Sequence, residues 1–157
     1  MANQIELVLS SHNPLVLGSN PSGPSFLRSK AGTSTSEKQV SHMYVVGLII
    51  PVPGHRRSDY EAWARMSSAL LRRYGCIQVI ESWEDEIRDG EVTDYRRAVK
   101  LQQGEIVVQA IQIWPNKETL KNAERLMEAE GAFEYVGELP FDAKRLIYGG
   151  FEALSLE

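Results

Sequence analysis

The segment Tyr44-Val-Val-Gly-Leu-Ile-Ile-Pro-Val is apolar at even and odd positions alike. Successive strand side chains point to opposite faces, so such a segment fits a strand with protein against both sides. It fits neither a half-solvated strand nor an amphipathic helix. Ile106 to Trp114 repeats the pattern, with Val107, Ile111 and Ile113 on one parity and Ile106, Val108 and Ala110 on the other. A chain with two such strands must build a sheet around them and cover both of its faces.

Everything that can do so begins at Met43. Residues 1–42 hold nine of the fourteen serines and a single aromatic, Phe26, whereas all three Trp and all six Tyr lie beyond. Stretches such as Asn20-Pro-Ser-Gly-Pro-Ser lack the apolar surface that would repay ordering. We therefore expect residues 1–42 to be a disordered extension, with Met43 as the natural start, and residues 43–157 to be one folded domain.

Within 43–157 the elements follow from local chemistry. Ser58 with Glu61 three residues later reads as a capping box. The helix it opens buries Tyr60, Trp63, Ala64, Ser67, Leu71 and Tyr74 and ends at Gly75. Cys76 to Trp83 reads as a second strand. The Asp89-Gly90 turn leads to a third strand over Thr93–Lys100, where charged residues alternate. Ile106–Trp114 is the fourth. Asn116 caps a helix carrying Leu120, Ala123, Leu126 and Met127, ended by Gly131. Arg145 to Leu154, with its Gly149-Gly150 pair, is the last strand.

The order β-α-β-β-β-α-β is an α+β, split βαβ arrangement with one added strand, an antiparallel sheet with both helices on one face. The helices then leave the second face of two double-sided strands bare. A bare apolar face is an association surface, and a homodimer closed sheet face to sheet face is expected.

Four segments, Met43-Tyr-Val-Val-Gly, Glu81-Ser-Trp-Glu-Asp, Asp94-Tyr-Arg-Arg-Ala-Val-Lys and Leu139-Pro-Phe-Asp-Ala-Lys-Arg-Leu-Ile-Tyr-Gly-Gly-Phe-Glu, resemble a small bacterial family of unknown function typified by YbaA. The likeness spans residues 43–157. It implies a ferredoxin-like chain that pairs into a dimeric α/β-barrel, and it implies no established activity.

Composition narrows the functional classes. A net charge of −4 gives no overall positive field for nucleic acid or anionic membranes. One cysteine excludes an intramolecular disulfide framework and a cysteine-cluster metal site. No apolar run approaches the roughly 20 residues of a membrane span. No P-loop or dinucleotide fingerprint occurs, so neither cofactor nor metal is expected. A soluble cytoplasmic protein is the expectation.

Candidate site residues form three groups. Glu81 and Trp83 share one face of the second strand. A carboxylate on an apolar face can act as a base, whereas the competing expectation pairs it with Arg96 or Arg97. Asp94, Arg96 and Lys100 would share a face suited to a polar ligand, or would protect an edge strand. Asp142, Lys144 and Arg145 precede the glycine pair and would hold a small anion, unless they form an ordinary surface ion pair. His55 and Cys76 lack the partners that metal binding or nucleophilic catalysis needs.

No acid–base, nucleophile or metal set is complete, which points to a small-molecule-binding or structural homodimer. The alternative is a cofactor-independent enzyme, monooxygenase- or isomerase-like by fold analogy, with Glu81 as base, Trp83 as aromatic wall, Arg96 as oxyanion partner and Tyr148 as proton donor. A weaker alternative is RNA association through Arg56-Arg57 and Arg72-Arg73, against the chain's negative charge.

Overall fold

The computed structural model describes residues 43–136 and 138–154. The sequence expectation for residues 1–42 lies outside them. Both double-sided segments become the central strands. β1 (Tyr44–Pro53) and β3 (Glu105–Trp114) pair antiparallel over their full lengths, flanked by β2 (Gln78–Trp83) beside β3 and β4 (Ile147–Glu152) beside β1. The order is β2-β3-β1-β4, wholly antiparallel.

Two long helices, α1 (Arg57–Arg73) and α3 (Lys117–Ala129), cover one face. Tyr60, Ala64 and Leu71 of α1, with Leu120, Ala123 and Met127 of α3, pack on Val46, Ile50, Val52, Val108, Ala110 and Trp114. These strand residues are all even-numbered, so one parity of β1 and β3 makes the core. Burial of each large aliphatic chain stabilises by about 1.5–3 kcal/mol.

The helix ends show which local signals were decisive. Gly75 (φ +105°) closes α1 in a Schellman motif, with Gly75 N–H donating to the Arg72 carbonyl and Cys76 N–H to that of Leu71. The Asn116 side chain accepts from Thr119 N–H at 2.8 Å and caps α3. The Ser58–Glu61 capping box does not form. A 3-10 turn over Gly54–Arg56 leads straight into α1, so Ser58 lies inside the helix. Ion pairs Arg56–Asp59 and Arg57–Glu61, both at 3.0 Å, brace the first turn instead.

The expected third strand is also absent. Asp94 accepts from Arg97 N–H at 2.8 Å and starts a four-residue helix, α2 (Tyr95–Ala98). A short carboxylate side chain offers the backbone a local partner, and that competes with strand pairing. The sheet therefore has four strands rather than five among the described residues, and residues 84–104 form an excursion between β2 and β3 anchored by Val99, which is fully buried.

The odd-numbered face lies opposite both helices. Three cross-strand rows run across it: Gln78–Ile113–Val45–Phe151, Ile80–Ile111–Gly47–Gly149 and Ser82–Gln109–Ile49–Ile147. None of these residues is charged. Ile80, Ile147 and Phe151 are exposed, Phe151 at 60%. The glycine pair in β4 makes room for aromatic rings. A Cβ on Gly149 would meet the Phe151 ring, and one on Gly150 would meet Tyr44. No helix among the described residues is long and apolar enough to cross a membrane.

Candidate functional site

α1 carries two stripes. Tyr60, Ala64 and Leu71 point to the core, while Arg57, Glu61, Arg65, Ser68 and Arg72 recur every three or four residues along one flank. That flank overlooks β2, whose odd positions Val79, Glu81 and Trp83 face the helices. Between them lies an open cleft of about 510 Å³.

Its floor is aromatic and its rim is cationic. The Tyr60 ring packs 6.1 Å from Trp83 and 6.0 Å from Phe141, centre to centre. The Arg57 guanidinium lies 5.0 Å from the centre of the Trp83 ring, within cation–π range, while its Nε donates to Glu61 at 3.0 Å. Arg65 approaches Glu61 only at 3.7 Å, and Arg72 makes no salt bridge among the described residues.

Glu81 is held by Tyr60, not by Arg96 or Arg97. The Tyr60 hydroxyl donates to Glu81 Oε2 at 2.7 Å. Burial of the carboxyl end pushes its pKa above the usual carboxylate range, and the Tyr60 hydrogen bond draws it partly back. Burial, reinforced by the Glu81 charge, pushes the Tyr60 hydroxyl far up, so it stays a donor at any ordinary pH.

The other candidates lie elsewhere. Tyr148 stands on β4 in a second pocket between the sheet and both long helices, donating to Glu124 at 3.3 Å, and burial raises its pKa. Arg96 pairs with Glu84 at 2.5 Å and approaches Asp89 at 3.8 Å on the excursion. Asp94 pairs with Arg97 at 2.7 Å, so the expected shared face of Asp94, Arg96 and Lys100 does not exist. Arg145 is enclosed by Glu105 (2.5 Å) and Asp142 (2.9 Å) and donates to the Lys100 carbonyl at 3.2 Å. Its charge is matched within the protein, and Lys144 stands beside it exposed. Glu105 and Asp142 are both held below the usual carboxylate range by the Arg145 guanidinium.

The buried Cys76 thiol donates to the carbonyls of Gln78 and Ile113, and burial raises its pKa. Among the described residues no three His, Cys, Asp or Glu side chains gather as metal ligands. Of the cleft residues, sequence reasoning missed Arg65 and assigned Tyr60 to the core alone, while Arg57 and Arg72 were considered only as RNA contacts. Their spacing along one helix flank was the available signal.

A family model described as "Protein of unknown function (DUF1428)" matches residues 43–143. The chain belongs to this family. Among the relatives of this DUF1428 member are the uncharacterized protein YbaA of Escherichia coli K12 and that of Shigella flexneri. Each is 37% identical over 112 residues, covering 71% of this chain and 96% of the relative. Two solved structures are similar at a lower level. One is a conserved protein of unknown function from Bacteroides thetaiotaomicron, described as a possible oxidoreductase. It has 16% identity, a TM-score of 0.39 and coverage of 73% of this chain and all of that one. The other is the designed protein Foldit4, with 15% identity, a TM-score of 0.34 and coverage of 73% and 99%.

Proposed function

We propose that this chain is a cytoplasmic, small-molecule-binding homodimer whose ligand is a small aromatic carboxylate held between α1 and β2. The cleft carries this reading. Arg57, Arg65 and Arg72 outnumber Glu61 and Glu81 on its walls, and the Tyr60 and Trp83 rings supply a flat apolar floor. A guanidinium recognises a carboxylate through paired N–H donors, and an aromatic floor takes a planar ring.

The ferredoxin-like, dimeric α/β-barrel assignment belongs to the same proposal. It is supported by the β2-β3-β1-β4 order, by the two long helices on one face and by the uncharged rows on the other. A two-fold axis between two copies would lay this uncharged patch against the same patch of its partner, as isologous pairing requires.

Calorimetric titration of the full chain with benzoate tests the ligand. Binding that weakens about tenfold in Arg72→Gln or Trp83→Leu, with benzyl alcohol inert, is the expected result. No heat at millimolar benzoate, or binding indifferent to both substitutions, rejects it.

One observation favours the enzymatic reading as second choice. Glu81, raised in pKa beside a permanent donor, is placed to take a proton from a ligand in the cleft. Arg96 and Tyr148 stand outside this cleft, so Glu81 would act with Tyr60. Deuterium wash-in at an acidic C–H of a bound carboxylate, abolished in Glu81→Gln, is its signature.

A further inference from the structure

The second pocket shares no lining residue with the outer cleft. Leu48, Gln112 and Tyr148 form its sheet side, Trp63, Ser67 and Leu71 its α1 wall, and Leu120, Glu124 and Met127 its α3 wall. The helix residues recur at spacings of three and four, so each helix turns a continuous edge toward the space. Its volume is about 90 Å³. A water needs about 10–15 Å³ on this measure, so roughly six to nine non-hydrogen atoms fit.

The polar groups here are unevenly satisfied. The Trp63 indole N–H is buried with no hydrogen-bond partner among the described residues. Gln112 spends its amide oxygen on the Trp114 indole N–H at 3.1 Å. Indole nitrogen only donates, so that bond fixes the amide orientation and leaves the Gln112 NH₂ group as the donor, without a partner among the described residues. The acceptor in the pocket is already engaged, since Glu124 takes the Tyr148 hydroxyl at 3.3 Å and Lys121 at 2.7 Å. The Ser67 hydroxyl can turn either way.

The buried Trp63 N–H calls for an acceptor, and the Gln112 NH₂, which is not itself sealed from solvent, offers a second donor beside it. An orphaned buried donor costs about 1–3 kcal/mol. A hydrocarbon would fill the space and leave that cost in place. An anion would meet the Glu124 carboxylate at close range. We infer that this inner pocket binds a small neutral carbonyl compound, an aryl or cyclic ketone in size, whose oxygen accepts from Trp63 Nε1–H and the Gln112 amide. The two chambers of one chain thus differ in chemistry, the outer arginine-lined and the inner largely apolar, with N–H donors and one engaged carboxylate. A site built around buried donors discriminates strongly against an analogue lacking the acceptor.

The test is ¹H–¹⁵N NMR of the full chain titrated with acetophenone, ethylbenzene and benzoate. The Trp63 indole cross-peak, identified by its loss in Trp63→Phe, is expected to move with acetophenone and to stay with ethylbenzene. Benzoate held in the outer cleft leaves it in place, so failure of either site is seen separately. Ser67→Leu, which fills the pocket, abolishes the acetophenone response, and Trp63→Phe weakens acetophenone binding by about tenfold. An indole peak stationary up to the solubility of acetophenone overturns the inference, as does an equal response to ethylbenzene or an undiminished response in Ser67→Leu. The wild-type titration decides by itself if a variant fails to fold.

Discussion

Tyr60 donates its hydroxyl proton to Glu81 across 2.7 Å, tying the inward stripe of α1 to the outermost strand of the sheet. Removing that proton while keeping the ring isolates the bond. Tyr60→Phe is expected to lower stability by about 1–2 kcal/mol near neutral pH, measured by urea unfolding. The Glu81 pKa, followed by carboxyl ¹³C NMR, rises further, because burial persists and the lowering hydrogen bond is gone.

The pH dependence has two opposing parts. A carboxyl raised on folding contributes stability at low pH and loses it as pH climbs through its folded pKa. Glu81 is of this kind, so Glu81→Gln gains on the wild type as pH rises above the ordinary 4.5. Asp94 is the reverse. The Arg97 backbone and side-chain N–H groups hold it down from 3.8 to about 2, so its contribution is present above 3.8 and lost as pH falls through that window. Asp94→Asn, which keeps an acceptor for the cap, should flatten the stability curve between those values.

Arg145 joins the β4 entry to β3 through Glu105, with the two side chains only 14% and 9% exposed. Arg145→Ala leaves a nearly buried carboxylate without its cation and is expected to cost about 2–3 kcal/mol in chemical denaturation. Lys144→Ala, on an exposed neighbour, should change stability by less than about 0.5 kcal/mol.

The proposed pairing across the odd-numbered face is tested at Ile80, 38% exposed in the single chain. A charge there costs an isolated copy little and is intolerable between two apposed apolar faces. Light scattering should give twice the chain mass for the wild type and the single-chain mass for Ile80→Glu. A wild type that stays single at micromolar concentration removes the pairing from the proposal.

Gly150 lacks the atom that would collide with Tyr44, because a Cβ there would lie 2.8 Å from the Tyr44 Cζ. Gly150→Ala should cost about 1–3 kcal/mol through overpacking. Adding Tyr44→Ala should recover part of that, giving a favourable coupling in a double-mutant cycle.

The central strands and long helices were legible because each is specified within a few residues. Parity betrays β1 and β3, and Asn116, Gly75 and Gly131 mark helix ends by backbone needs that side-chain type reveals. The excursion was not legible, because the alternating charges from Asp94 to Lys100 imitate an edge strand. One local bond, from Arg97 N–H to Asp94, decides for a helix turn instead. The same holds for Ser58, displaced from its cap by the 3-10 turn ahead of it. Glu81 and Trp83 were paired correctly by parity within one strand. Their partners Tyr60 and Arg57, and Arg72 along the same cleft, depend on which helix flank overlooks β2, and the strand order sets that. Arg145 and Glu105, 40 residues apart, meet for the same reason.

Nature has distributed the three indoles of this chain so that each senses a different compartment. Trp83 stands under Arg57 at the outer cleft, Trp63 borders the inner pocket, and Trp114 is wholly enclosed in the core. Variants retaining one indole apiece would therefore emit at distinguishable wavelengths, with Trp114 bluest. Ultraviolet light alone would then report separately on occupancy of either chamber and on melting of the interior, without any attached dye.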